Sequence, residues 1–247
     1  MPKSRLFSPI PLRSNTELTL GDEQAHYVGR VSRLRPGDAL TVFDGSGGEY
    51  SATVGKITKQ ELQLSIGEHF SRDAESPLKI RLVQGISRGD RMDTVVQKAT
   101  ELGVHRISPV ITDHSVVKLP PDRAAKRHAH WQKIARSACE QCERNIIPTI
   151  DAPQSLVDWF AVNAGSDKLL IILRPDAEVA MTAIVPQGNE ITILIGPEGG
   201  FSEAEYERAA AAGLRAAKLG PRIMRTETAA LAALSIAQAT WGDYQAP

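Results

Sequence analysis

The apolar positions of this chain follow two different rhythms. Before residue 71 they alternate or cluster at strand length. Ala39–Asp44, Glu49–Ile57 and Leu62–Gly67 read as strands, and Gly45-Ser46-Gly47-Gly48 supplies a hairpin-like turn between the first two. A short helix is predicted from Asp22 to about Leu34. The stretch Ser71–Pro77 is polar, lacks periodicity and ends in Pro, so it reads as a linker. After it, strand-like and helix-like runs take turns. Strands are predicted at Leu78–Ile86, Arg106–Ile111, Lys168–Leu173, Ile191–Ile195 and Leu214–Leu219. Helices are predicted at Asp90–Leu102, from about Asp122 to Glu143, at about Ser155–Val162, from Ser202 to about Ala212, and from about Thr226 to Trp241. Such alternation predicts an α/β fold with a mostly parallel sheet covered by helices, preceded by a small β-rich domain.

Two Gly/Pro-rich turns interrupt the last strand-to-helix steps. The first is Ile195-Gly196-Pro197-Glu198-Gly199-Gly200-Phe201; the second is Leu219-Gly220-Pro221-Arg222-Ile223-Met224-Arg225-Thr226-Glu227-Thr228-Ala229. Paired turns at the ends of two strands are how α/β proteins build a small-molecule pocket. Ser202 and Glu205 have the capping-box spacing, so a helix N-terminus follows the first turn directly. The turn has neither the Lys-Ser/Thr of a Walker loop nor the GxGxxG spacing, and Glu198 in its middle would repel a phosphate. A neutral or cationic ligand suits it better than a nucleotide triphosphate. A purely structural tight turn is the alternative reading of the first loop taken alone.

Net charge changes the picture only when it is counted by segment. The total is zero, yet residues 78–150 hold 13 Lys/Arg against 7 Asp/Glu, and residues 151–247 hold 7 against 12. A basic middle can bind phosphate within a neutral chain. On the predicted 22–34 helix, His26, Arg30 and Arg33 are spaced i, i+4, i+7 and would share one face, read either as a phosphate-contacting RNA surface or as a solvated basic face. Arg136, Glu140 and Arg144 are spaced i, i+4, i+8 along the long helix, while Trp131, Ala135, Ala138 and Cys142 form its apolar stripe. For Arg144 a helix-terminus contact or a pair with Glu140 is the structural alternative. Cys139 and Cys142 are the only cysteines and lie inside that helix, so they read as small buried hydrophobes. No metal site is expected from the six scattered His. With no apolar run near 20 residues and no leader-like start, a soluble, cytoplasmic protein without membrane contact is expected.

The two loops resemble the signature of the SPOUT class of S-adenosylmethionine-dependent RNA methyltransferases, and most closely its RsmE family, which methylates N3 of a uridine in small-subunit ribosomal RNA. Lys98–Val104 and Glu140-Gln141-Cys142-Glu143-Arg144 look like that family's earlier motifs, and His26–Asp38 resembles its N-terminal domain. The resemblance implies a PUA-like, RNA-associated barrel over residues 1–72 and a SPOUT methyltransferase domain over residues 73–247, trefoil-knotted near the C-terminus and homodimeric through the knot. It assigns the S-adenosylmethionine pocket to Leu173, Ile195, Gly196, Glu198, Gly199, Gly200, Leu219, Gly220, Ile223, Met224, Arg225 and Thr228. The family usually reads Leu where this chain has Met224. The implied partner is 16S rRNA in an assembled 30S particle.

The chemistry constrains the rest. Uridine N3 is a weak acid titrating a couple of units above neutral pH, so ionising it costs roughly 3 kcal/mol at pH 7. A cation beside the uracil carbonyls can recover that amount, and Arg is suited to the role while being poor as a base. Arg144 is the expected cation; Glu140 and Glu198 are the expected catalytic carboxylates, with the base unassigned and Glu227 a third motif carboxylate. Ribose 2′-O methylation is an alternative chemistry, although the Asn and Ser usual in the last motif of those enzymes are missing from Arg225-Thr226-Glu227-Thr228. A non-catalytic RNA-binding assembly factor is the alternative of a different class.

Overall fold

The computed structural model describes residues 4–115, 119–163 and 168–245. Its contacts divide the chain into two compact units. The first runs to Glu75 and takes in Cys139–Ile147; the second is Ser76–Ala138 with Pro148 onward.

In the first unit, β1 (Arg5–Phe7), β2 (Thr16–Leu20), β3 (Ala39–Phe43), β4 (Glu49–Ile57) and β5 (Leu62–Phe70) form one sheet in the order β1-β3-β4-β5-β2. β1 runs parallel to β3 and the other pairings are antiparallel. The period-2 pattern is visible in what is buried: Leu62, Leu64 and Ile66 face the same core as Ala52, Val54, Leu40 and Val42. The helix that follows β2 is not uniform. α1 (Asp22–His26) passes into a π-helical stretch at Tyr27–Val31, and the chain leaves it before Arg33, whose φ of +56° is left-handed. His26, Arg30 and Arg33 are exposed. Their expected common face does not survive, because π winding changes the angular step and Arg33 lies past the helix end.

The motif around Glu140 belongs to this first unit. Glu140 accepts the Phe7 backbone N–H at 2.9 Å. Arg144 is only 3% exposed, and its guanidinium donates to the Glu75 carboxylate through Nε (3.0 and 3.2 Å) and Nη2. Burial alone would lower the Arg144 pKa, but the Glu75 carboxylate outweighs it and holds the guanidinium firmly charged. Arg5 donates to Asn145 Oδ1 at 2.5 Å and to Glu49 at 2.6 Å, and Asn145 donates to the Arg72 carbonyl at 2.9 Å. Glu143 has φ +65°, so the long helix stops before Arg144. The i, i+4, i+8 face therefore ends at Glu140.

In the second unit, β6 (Lys79–Gly85), α2 (Arg91–Glu101), β7 (Arg106–Ile111), α3 (Pro121–Cys142, its last four residues in the first unit), β8 (Thr149–Ile150), β9 (Gln154–Ser155) and α4 (Leu156–Asn163) come first. They are followed by β10 (Leu169–Leu173), β11 (Glu190–Ile195), α5 (Glu203–Ala211), β12 (Arg215–Ala217) and α6 (Thr226–Trp241). Every strand pairing here is parallel, in the order β12-β10-β11-β6-β7-β8, with β9 also on β7. Central strands of a sheet covered on both faces read as continuous apolar runs, and Ile191, Ile193, Leu194 and Ile195 are all nearly inaccessible. On α2, Met92, Val95, Val96 and Ala99 are fully buried as the periodicity predicts. Trp131 and Ala135 of α3 are also fully buried, and Trp131 Nε1 donates to Asp93 at 3.0 Å. Cys139 is buried, and that burial pushes its thiol pKa up to about 12, so it is an inert hydrophobe at neutral pH. Cys142 is half-buried.

From β6 the chain steps outward to β7 and β8, then crosses to β10, inserts β11 between β10 and β6, and hops back over β10 to β12. Because the strands are parallel, the loops leaving β6, β10, β11 and β12 gather on one edge of the sheet. That edge carries the site.

Candidate functional site

Three of those loops enclose a cavity of about 580 Å³, a volume in the range of small-molecule sites. The loop after β10 contributes Leu173, Arg174 and Pro175, the loop after β11 runs from Ile195 to Phe201, and the loop after β12 supplies Lys218–Gly220 and Arg222–Thr226. Of the residues expected to hold cofactor, Leu173, Ile195, Gly196, Glu198, Gly199, Gly200, Leu219, Gly220, Ile223, Met224 and Arg225 line it. Thr228 does not; it is exposed on α6. Glu140 and Arg144 are not among the lining residues, and their partners lie in the first unit.

The first loop is held by local chemistry at each end. Its turn closes with the Gly200 N–H donating to the Pro197 carbonyl at 3.0 Å. Gly200 has φ +70°, which only glycine adopts without strain, and no protein atom lies within 4 Å of where its Cβ would be. Conformation, not space, demands glycine there. At Gly196 the demand is space: a Cβ would sit 3.0 Å from the Gly200 backbone. Beyond the loop, Ser202 and Glu205 make the predicted capping box, Ser202 Oγ accepting from Glu205 N at 3.2 Å and Glu205 Oε2 accepting from Ser202 N at 2.8 Å. The buried Glu205 also accepts the Asp113 N–H at 2.9 Å, and Ser202 Oγ donates to Asp113 at 2.7 Å, which fastens the loop to the end of β7.

A hydroxyl fastens the loop's start. Thr226 Oγ1 donates to the Gly196 carbonyl at 2.6 Å and accepts from Gln84 Nε2 at 2.8 Å. Both side chains are buried. The only sequence mark of this clasp is Gln84, a lone amide among the apolar residues at the end of β6.

The charges at the cavity are arranged in pairs. Glu198 accepts the Arg88 N–H at 3.0 Å and Arg91 Nη1 at 2.6 Å. Burial raises its pKa, but these hydrogen bonds outweigh the burial and leave the carboxyl below the ordinary glutamate range. Glu198 is thus a fixed anion at neutral pH. Across the cavity Arg174 stacks on the Tyr206 ring at 4.5 Å and pairs with Asp176 at 2.7 Å. Arg91, Arg174, Lys218 and Tyr206 also line the site and carry no sequence signal, since none of them lies in a run that stands out by itself; Thr226 lies in the second turn, but its clasping role does not show in the sequence. Among the described residues there is no cluster of His, Cys, Asp or Glu able to hold a metal ion, and no helix is long and apolar enough to cross a membrane.

The model of the RNA methyltransferase domain matches residues 74–238, and that of the RNA methyltransferase PUA domain matches residues 20–67. A ribosomal RNA small subunit methyltransferase E from Buchnera aphidicola is 34% identical over 98% of this chain and 95% of its own length. The protein of the same name from Bacillus subtilis is 34% identical over 86% of each chain. Two solved structures superpose closely. A methyltransferase from Legionella pneumophila in complex with bound S-adenosylmethionine has a TM-score of 0.93 at 38% identity, covering 98% of this chain and 100% of the other. A ribosomal RNA small subunit methyltransferase E from Neisseria gonorrhoeae bound to S-adenosylmethionine gives 0.92 at 38% identity with the same coverage. A match of this extent, in both parts of the chain, makes the protein a member of the ribosomal RNA small subunit methyltransferase E family of RNA methyltransferases.

Proposed function

We propose that this protein transfers the methyl group of S-adenosylmethionine to N3 of a uridine in 16S ribosomal RNA. The observation that carries the reading is the cavity formed by three loops at the carboxyl edge of the parallel sheet. Its donor set fits the cofactor. Leu173, Ile195, Leu219, Ile223 and Met224 offer apolar surface for an adenine and a methionine chain. The backbone at Gly196, Gly199, Gly200 and Gly220 permits close approach, and Arg225 closes the loop near the start of α6. Glu198, held as an anion by Arg88 and Arg91, complements a sulfonium cation. When bound, the cofactor supplies an electrophilic methyl group; these residues orient it and keep water away.

The RNA contacts are proposed from charge spacing and the basic excess of residues 78–150, and the assembly state from the family resemblance. His26, Arg30 and Arg33 on the PUA unit and Arg136 on α3 are the cations assigned to RNA, with an assembled 30S particle as substrate. Glu140 and Arg144 serve the first unit as structural groups, since the Phe7 amide and the Glu75 carboxylate already engage them. A trefoil knot around the loops after β11 and β12, a homodimer and a cytoplasmic location complete the proposal.

Three outcomes test it. Nucleoside mass spectrometry of 16S rRNA incubated with the protein and S-adenosylmethionine, as free RNA and within 30S particles, should detect 3-methyluridine; methylation at a ribose hydroxyl, or none, would refute the reading. Joint charge reversal of Arg30 and Arg33 to Glu should weaken RNA binding and flatten its salt dependence by about two units of log–log slope, leaving S-adenosylmethionine affinity unchanged. An unaltered salt slope would remove these residues from the RNA face. Light scattering at micromolar concentration should give twice the 26.8 kDa of one chain, and a monomer mass would reject the dimer.

A further inference from the structure

The cofactor cavity adjoins a second one. Arg91 and Glu198 line both, and the second, about 640 Å³, extends from them to the Arg88–Thr94 segment ahead of α2 and to Glu227 in the first turn of α6. A group placed there would lie beside whatever occupies the cofactor loops.

Three carboxylates border this second cavity, and they differ in how well they are supplied with donors. Asp90 is exposed, so water serves it. Glu198 already accepts the Arg88 amide and the Arg91 guanidinium, and those bonds keep it anionic. Glu227 is different. Its Oε2 is buried with no hydrogen-bond partner among the described residues, and its Oε1 lies 4.0 Å from Arg91 Nε, beyond hydrogen-bond reach. Buried carboxylate oxygens are seldom left without a donor, and such an exception calls for a functional explanation. Glu227 itself lines the second cavity, so its carboxylate borders any group seated there. What this carboxylate lacks is an N–H, and the imide of a uracil carries one.

We propose that the second cavity seats the target uracil, with Glu227 accepting the N3 proton and Arg91 stabilising the uracil anion through its O2 or O4. The inference rests on the uridine-N3 reading above. In the reaction the N3–H bond breaks and its proton passes to the Glu227 carboxylate. The N3 electron pair forms the bond to the methyl carbon, and the carbon–sulfur bond breaks with its pair remaining on sulfur, leaving the neutral thioether. Glu227 then returns its proton to water. Arg91 keeps its charge throughout, and its planar fork of donors suits a flat, delocalised anion. Glu140 and Glu198, the other motif carboxylates, are each committed to protein donors.

The test is Glu227→Gln in the full-length protein, assayed on the rRNA substrate in which the wild type makes 3-methyluridine. Loss of a positioned base should lower kcat by 10²- to 10⁴-fold at pH 7, on the order expected for general-base catalysis. Affinities for S-adenosylmethionine and for RNA, measured separately by calorimetry and filter binding, should stay within about twofold, because the amide oxygen still accepts N3–H. The residual rate should climb about tenfold per pH unit between pH 7 and 9, as solvent takes over the deprotonation, whereas the wild-type rate stays nearly flat. A kcat within about threefold of wild type would overturn the assignment, as would a slow variant whose pH profile is unchanged. If the glutamine protein does not fold, Glu227→Asp decides: a lowered kcat with the wild-type profile supports proton transfer to a carboxylate, and an unchanged kcat overturns it. Failure of the underlying reading is distinguishable, since the wild-type protein itself would then leave no 3-methyluridine.

Discussion

The cavity at the carboxyl edge of the parallel sheet depends on one buried hydroxyl. Thr226 joins three segments far apart in sequence: it stands at the start of α6, donates to the first carbonyl of the Gly196–Gly200 loop, and accepts from Gln84 at the end of β6. Each bond is worth only about 1 kcal/mol net, yet either one broken strands a polar group in a dry place at a further cost of about 1–3 kcal/mol. The asymmetry is what fixes the loop. With Asp113 holding the loop's far end through Ser202 and Glu205, the glycine turn has no freedom to relax into another shape. A preformed pocket is the result, and pocket, second cavity and the Arg91 ion pairs all inherit their positions from it.

The charge pattern has a similar logic. Zero net charge conceals ion pairs placed where they hold structure. Arg144 is the clearest example. In the sequence it is one of thirteen basic residues in a basic segment and sits in a motif, so a catalytic role was the natural expectation. In the fold it is buried against Glu75, and removing either partner would leave a buried charge uncompensated, at a cost of about 3–5 kcal/mol. That pair gives Arg144 a structural role in the first unit.

Much of this was legible in the chain because local rules and tertiary outcome agree. The capping box at Ser202 and Glu205, the apolar face of α2 and the run of α6 from Thr226 to Trp241 formed as their patterns predict. So did the two loops, whose glycines and prolines mark them without help from the rest of the chain. Other features depend on partners distant in sequence. β1 has three residues and β2 is largely exposed, so neither carries a periodic signal; each exists because a longer strand, β3 or β5, offers it a ladder. The π-helical turn at Tyr27–Val31 defeats any face drawn at 3.6 residues per turn, and the left-handed Glu143 ends α3 just where the charge spacing ran on. The site cations Arg91, Arg174 and Lys218 come from the start of α2 and the ends of β10 and β12, a grouping that only the crossing order of the sheet creates.

The claim that the hydroxyl clasp makes the pocket can be measured through Thr226→Val, which keeps the shape and deletes the hydroxyl, alongside Thr226→Ser, which retains it. Calorimetric titration with S-adenosylmethionine should find the valine protein weakened tenfold or more, a loss of at least about 1.4 kcal/mol. Its far-ultraviolet circular dichroism should remain that of the wild type, and the serine protein should bind nearly as the wild type does. A folded valine variant with undiminished affinity would contradict the account.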